Sequence, residues 1–210
     1  LQSNTPYSVQ VKARNADAVE TLFSEAMELM TLANPPVGLR FEPAQRSMRI
    51  TWPATANAIG YDIEVDGVTL SIGNVTSFTH NALLPNTSHT YRVRVVNAGG
   101  TGNWSTLETK YTLPDPPPIP TDLYTVPVQT QIQVSWDAVA AAESYDIEAD
   151  GIIIEAGSAP SYTLKELEPM TDHTIRVRAK NTGGTSDWSE SITVRTLPYP
   201  PDVPSDLTAM

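Results

Sequence analysis

Between Leu39 and Leu207 the sequence repeats at a constant spacing of 84 residues, with no insertion or deletion. Trp52 returns as Trp136, Tyr61 as Tyr145, Gly67 as Gly151, Pro85 as Pro169, Gly99 as Gly183 and Trp104 as Trp188. A chain that repeats in fixed register folds as a row of equal modules, each closing a core of its own. Between the modules lies Leu113-Pro114-Asp115-Pro116-Pro117-Pro118-Ile119-Pro120, echoed by Leu197-Pro198-Tyr199-Pro200-Pro201-Asp202-Val203-Pro204. Prolines this dense set an extended backbone and read as a stiff spacer.

The modules must be held by apolar burial, because 210 residues with 40% hydrophobic content contain no cysteine for a disulfide or a thiolate metal site. No apolar run approaches the roughly 20 residues of a membrane-spanning helix. The net charge of −11 sits mostly in the second repeat: residues 36–119 hold six Lys/Arg and six Asp/Glu, residues 120–203 five against thirteen. An acidic surface repels phosphate backbones and anionic headgroups, so neither nucleic acid nor membrane insertion is expected of this segment.

Each repeat alternates apolar and polar residues in short runs bounded by turn residues, the pattern of an antiparallel sandwich. In the first, Met48, Ile50 and Trp52 make one run; Tyr61, Ile63 and Val65 make another that closes on Asp66-Gly67; Tyr91, Val93 and Val95 alternate with Arg92 and Arg94. With runs near Leu39–Phe41, Val68–Ile72, Ser77–Thr79 and Trp104–Thr112, seven strands are expected. Trp52, Trp136, Tyr61, Tyr145, Trp104 and Trp188 are the expected core residues. In the last run Leu107 and Tyr111 fall on the opposite parity from Ile192 and Val194, which predicts a bulge or slipped register in the first module.

The pattern Pro36-x-x-Leu39, Trp52, Tyr61-Asp-Ile-Glu-x-Asp-Gly67, Leu83-x-Pro85-x-Thr87, Arg92-Val-Arg94, Asn97-x-Gly-Gly100, Trp104-Ser105 resembles the fibronectin type III domain, and its repeat copies it. The Trp-x-Ala and Tyr-Asp-Ile-Glu-x-Asp-Gly phrasing is similar to the bacterial branch of that family, found in extracellular and cell-wall proteins. The resemblance implies an all-β chain of seven-stranded, immunoglobulin-like sandwiches at residues 35–113 and 120–197, with 114–119 as linker. In the family a tyrosine four residues after the corner proline ties that corner to the backbone; here His89 and His173 stand in its place.

Residues 1–34 match only the last third of the pattern. Thr5 to Asn15 resembles the sixth strand, with the corner Tyr7 kept, and Phe23-Ser24 stands where Trp104-Ser105 and Trp188-Ser189 stand. The rival is an amphipathic helix over Asp17 to Leu32, because Val19, Leu22, Phe23, Ala26, Met27 and Met30 fall at helical spacing behind Asp17-x-x-Glu20. Residues 198–210 read as a second Pro-rich linker and the opening strand of a further module. The reading makes the chain a window on a longer array; broken ends packed against neighbouring fibre subunits are the alternative.

Chemistry is sparse. There are three histidines (His80, His89, His173), no pair of them at a ligand spacing, and no phosphate-cradling glycine loop. Asp62, Glu64 and Asp66, repeated as Asp146, Glu148 and Asp150, share one strand face and invite a calcium reading, but the resemblance implies that the adjacent strand carries Arg92 and Arg94, or Arg176 and Arg178, and cross-strand ion pairs then explain them. No cofactor, metal or catalytic residue is expected. The candidate binding surface is the turn at Asn97 and at Asn181, flanked by Trp104 and Trp188. Asn74, Asn86 and Asn103 match the N-glycosylation acceptor pattern in the first module only. The expectation is a non-catalytic structural array of an extracellular or cell-surface protein, its partners being neighbouring domains; the alternative is a glycan- or protein-binding adhesion module.

Overall fold

A computed structural model describes residues 1–203, so the expected opening strand of a further module, Val203 to Leu207, lies almost wholly outside the described residues. The chain divides into two compact units, Leu1–Leu113 and Pro114–Met210. No helix forms among the described residues. Nor does any described helix reach the length and apolarity needed to cross a membrane.

The first unit opens with a hairpin of β1 (Pro6–Val9) and β2 (Met27–Met30), paired antiparallel with Tyr7 opposite Leu29. Further backbone bonds, Ser24 N to Val11 O and Thr21 N to Ala13 O, carry the ladder outward. Asp17 to Leu32 is therefore not helical; its helical spacing loses to the backbone pairing that residues 5–15 offer.

After the hairpin come β3 (Arg40–Pro43), β4 (Ser47–Thr51), β5 (Ala58–Val65), β6 (Val68–Ser71), β7 (Ser77–Asn81), β8 (Ser88–Asn97), β9 (Gly100–Thr101) and β10 (Glu108–Tyr111). One sheet has the order β3-β4-β7 and the other β10-β8-β5-β6, with β9 also on β8. The second unit repeats this with β11 (Tyr124–Pro127), β12 (Ile132–Ser135), β13 (Ser144–Ala149), β14 (Ile152–Gly157), β15 (Ser161–Leu164), β16 (Asp172–Asn181), β17 (Gly184–Thr185) and β18 (Ile192–Arg195). Its sheets are β11-β12-β15 and β14-β13-β16-β17, with β18 also on β16. The expected seventh strand is thus split in both units, a two-residue piece after the turn and a four-residue piece beyond the Trp-Ser pair.

Period-two alternation sends one face of each strand inward. Met48, Ile50, Trp52, Tyr61, Ile63, Tyr91, Val93 and Val95 fill the first core; Ile132, Val134, Trp136, Tyr145, Ile147, Ile175, Val177 and Ala179 fill the second. Trp52 packs on Tyr61 with ring centroids 5.6 Å apart, and Trp136 on Tyr145 at 5.2 Å. Each tyrosine hydroxyl accepts a backbone N–H from the loop before its strand, Thr55 N at 2.7 Å and Val139 N at 2.9 Å. Buried phenols of this kind need such a partner.

Trp104 and Trp188 are not core residues. They lie half-buried on the outer face of the larger sheet, flat over guanidinium groups: Trp104 is 4.9 Å from Arg92 and 4.3 Å from Arg94, Trp188 is 5.0 Å from Arg176 and 4.5 Å from Arg178. Outward-pointing arginines offer an indole a cation-π partner, which an apolar interior does not. The serine after each indole ties this segment to the sheet: Ser105 Oγ and Ser189 Oγ accept the N–H of Val93 and Val177, both at 3.0 Å.

The slipped register predicted for the first module is absent. Glu108 pairs with Tyr91 as Ile192 pairs with Ile175, so the ladders coincide. Leu107 and Tyr111 simply face water, while Glu108 and Lys110 take the inner positions. Lys110 lays its stem along Phe41, with Nζ 5.0 Å from the ring, and reaches out to Glu108 at 2.9 Å. An edge strand tolerates this because a lysine stem covers apolar surface while its ammonium stays wet, and edge charges discourage further pairing.

Candidate functional site: the hairpin turn and the corner

The turn between β8 and β9 was the candidate binding surface. Its asparagine is turned into the chain: Asn97 is 2% exposed, and its Nδ2 donates to Thr31 O at 2.9 Å and to Asn4 Oδ1 at 3.0 Å. Asn181 Nδ2 likewise donates to Asp115 O at 2.9 Å. The Oδ1 of each accepts the N–H two residues on, from Gly99 at 2.9 Å and Gly183 at 2.8 Å. The turn therefore grips the segment that leads into its own module.

The two glycines of each turn have separate reasons. Gly100 and Gly184 hold φ of 122° and 144°, where a side chain is strained. Gly99 and Gly183 are glycine for want of room: a Cβ would stand 2.1 Å from Met30 O and 1.9 Å from Pro114 O. Positive φ applies only to the second of each pair. Around these contacts Ala33 and Pro36, and in the repeat Pro117 and Pro120, are buried. The Pro-rich joint is thus docked onto the module that follows it along part of its length.

The corner at the other end of β8 joins three side chains. Asp66 and Gly67 have φ of 49° and 83°, and Asp150 and Gly151 of 51° and 83°, the left-handed pair of a tight hairpin. That conformation aims the aspartate back across the sheet. Asp66 Oδ1 accepts Thr90 N at 2.8 Å and Oδ2 meets His89 Nδ1 at 2.7 Å; Asp150 treats Thr174 N and His173 Nδ1 in the same way, at 2.8 and 2.7 Å. His89 Nε2 lies 3.0 Å from Thr87 Oγ1, and His173 Nε2 lies 2.8 Å from Thr171 Oγ1. Where Tyr7 accepts the backbone N–H of Gln2 at 2.8 Å, the histidines thus tie the corner to side chains instead. Only the first two carboxylates of each acidic run join the arginine row: Asp62 with Arg94 and Glu64 with Arg92, Asp146 with Arg178 and Glu148 with Arg176. The third belongs to the corner.

The first module adds His80, whose significance was not legible in the sequence. His80 stands opposite Met48 as Leu164 stands opposite Ile132, so it occupies the place of a core leucine that is 5% exposed in the repeat. Its ring meets His89 edge-on at 5.3 Å between centroids, and its Nδ1 lies 3.2 Å from Tyr91 Oη. Burial and the nearby His89 charge push the His80 pKa down, with Asp66 opposing. Burial raises Asp66, but hydrogen bonds from His89 and Thr90 N and the charge of His89 outweigh it, and the net shift is down. Burial and Asp66 push Tyr91 up to about 12.

These directions give a pH prediction for the protein in a chelating buffer. Unfolded His80 takes a proton near the ordinary 6.5 whereas folded His80 resists it, so the unfolded state binds more protons as pH falls and the first module loses stability below about that pH. The contribution is complete above the unfolded value and gone once pH has passed the lower folded value. The second module, with Leu164 at the same place, should hold until its lowered Asp150 titrates, below the ordinary 3.8. Thermal melts from pH 7 to 4 should show one transition moving before the other, and His80→Leu should remove the early movement.

Two antiparallel sandwiches in series, each with a buried Trp on Tyr, an Arg face under a Trp, and a corner proline, define a tandem array of fibronectin-like modules. The fibronectin type III domain family matches residues 34–110 and 118–195, and the chain belongs to that family. It is 27% identical over 228 residues to "Fibronectin type-III domain-containing protein 3A" of Homo sapiens, covering 94% of this chain and 19% of that protein. It is 27% identical over 241 residues to "Phosphatidylinositol phosphatase PTPRQ" of Rattus norvegicus, covering 98% of this chain and 10% of that protein. A crystal structure of the FN1–FN3 domains of chicken CNTN1 superposes with a TM-score of 0.60 at 23% identity, covering 94% of this chain and 78% of that one, and shares the fold. The chain spans about a fifth or less of these curated relatives' length. All are animal proteins, so the expected bacterial affiliation finds no support.

Proposed function

We propose that this segment is a non-catalytic spacer of an extracellular or cell-surface protein, a pair of modules whose work is to hold other parts of the protein at a set spacing. One observation carries the reading. The turns that would present Asn97 and Asn181 to a ligand are filled by the chain's own incoming segment, through Thr31 O and Asp115 O. Trp104 and Trp188, the aromatic groups a glycan would stack on, are laid over arginines. The family match and the similarity to an animal fibronectin type III domain-containing protein support the same reading. A glycan array and a pull-down from extracellular matrix extract, both with residues 1–210, test it: no saturable ligand is expected, and one whose binding is lost on Trp104→Ala or Trp188→Ala overturns it in favour of an adhesion module.

A further inference from the structure

We propose that Asp66, His80 and His89 form a zinc-binding site in the first module, with the fourth position of a tetrahedron left to water or an exogenous ligand. One ring nitrogen of each histidine and a carboxylate oxygen of Asp66 lie within 4.8 Å of one another. The three come from separate parts of the sandwich: Asp66 from the β5–β6 turn, His80 from β7 in the smaller sheet, His89 from β8 in the larger. Two imidazoles and a carboxylate are the donor set of a borderline cation, and three protein ligands with one open place is the usual form of an accessible zinc site.

The hydrogen bonds around His89 leave a place for a cation. Thr87 Oγ1 lies 2.6 Å from Leu84 O, which commits its single hydroxyl proton there. Thr87 must then accept from His89 Nε2–H, and that assigns the ring's other nitrogen, Nδ1, to the face turned toward Asp66. A neutral imidazole so held presents a lone pair to a carboxylate, so something positive must lie between them, a proton or a metal ion. The Leu84–Thr87–His89 relay is the kind of outer support that fixes a metal-bound imidazole. A tetrahedral ion with bonds of about 2.0–2.1 Å would set its donors roughly 3.3 Å apart, so the Asp66–His89 pair opens slightly and His80 closes in.

The repeat supplies the control. The second module keeps the Asp150–His173–Thr171 corner in the same geometry, which shows that the corner needs no second histidine. It has Leu164 where the first has His80, so the third ligand is an addition placed where packing alone calls for an apolar side chain.

Isothermal titration of the full chain with zinc chloride should show one ion bound per chain. His80→Leu installs the residue of the second module and should abolish the binding without loss of melting temperature in chelator. Asp66→Asn should weaken it at least about tenfold, the lower end of what even an outer-shell change costs. Asp150→Asn, the same change in the second module, should leave it untouched. Cobalt(II) in place of zinc should develop the visible absorption of a tetrahedral ion in the parent and not in His80→Leu. Absence of saturable heat up to millimolar zinc, or equal affinity in His80→Leu, overturns the assignment.

Discussion

Trp52→Ala is expected to lower the stability of the first module by about 3–5 kcal/mol, and Trp136→Ala to do the same to the second, the usual cost of emptying a buried aromatic site. Both indoles are 5% exposed and each rests on a tyrosine whose hydroxyl ties down the loop before its strand. Removing the indole therefore opens a cavity and frees that tyrosine. Small domains are stable by only about 5–15 kcal/mol, so a large part of the module's margin goes. Because each module closes its own core, the partner module should keep its denaturation midpoint. Urea unfolding followed by module-resolved hydrogen exchange checks both statements. The contrast is Trp104→Ala: that indole gives up a cation-π stack on a half-exposed face, about 0.5–1 kcal/mol per contact. Equal losses at Trp52, in the core beside the smaller sheet, and at Trp104, on the outer face of the larger one, would mean that core and surface have been assigned the wrong way round.

What was legible in the sequence was whatever depends on alternation within one strand. Trp52, Tyr61, Ile63, Val93 and Val95 declare their side of the sheet by period two, and the repeat states it a second time. Trp104 misled because a tryptophan flanked by polar residues is read as core unless its neighbours across the ladder are known, and here they are Arg92 and Arg94. The last strand of the first module misled for a related reason: Glu108 and Lys110 hold inner positions by salt bridge and stem packing, so an apolar count reads the strand upside down. His80 and His89 were invisible as a pair because their proximity spans the two sheets of the sandwich, and spacing along the chain reports only neighbours within an element. The available signal was comparative: a histidine in one repeat where the other has leucine, beside a corner that both share.

Gly183→Ala, and its counterpart Gly99→Ala, should destabilise the module by about 1–3 kcal/mol, the cost of forcing atoms into a filled space. The obstacle is backbone, a carbonyl oxygen 1.9 Å from the new Cβ at position 183 and 2.1 Å at position 99, so no rotamer change relieves it. The docked segment has to leave. With it go the Asn181 Nδ2 bond to Asp115 O and the burial of Pro117, whereas the turn itself survives because Gly184 still supplies the strained φ. The loss should therefore appear first as exchange of the Asn181 side-chain amide protons in an NMR spectrum, with the core ladder of β13 and β16 still protected. Thr182→Ala, an exposed neighbour in the same turn, should change neither melting temperature nor amide exchange. Asn181→Ala should cost clearly less in the Gly183→Ala background than alone, since both give up the docking bond to Asp115 O and only the Oδ1 bonds within the turn are left to lose. If the two substitutions add, or if Gly183→Ala leaves the Asn181 amide protected, the joint is held by something other than this turn, and the reading of the segment as a spacer loses the observation that carries it.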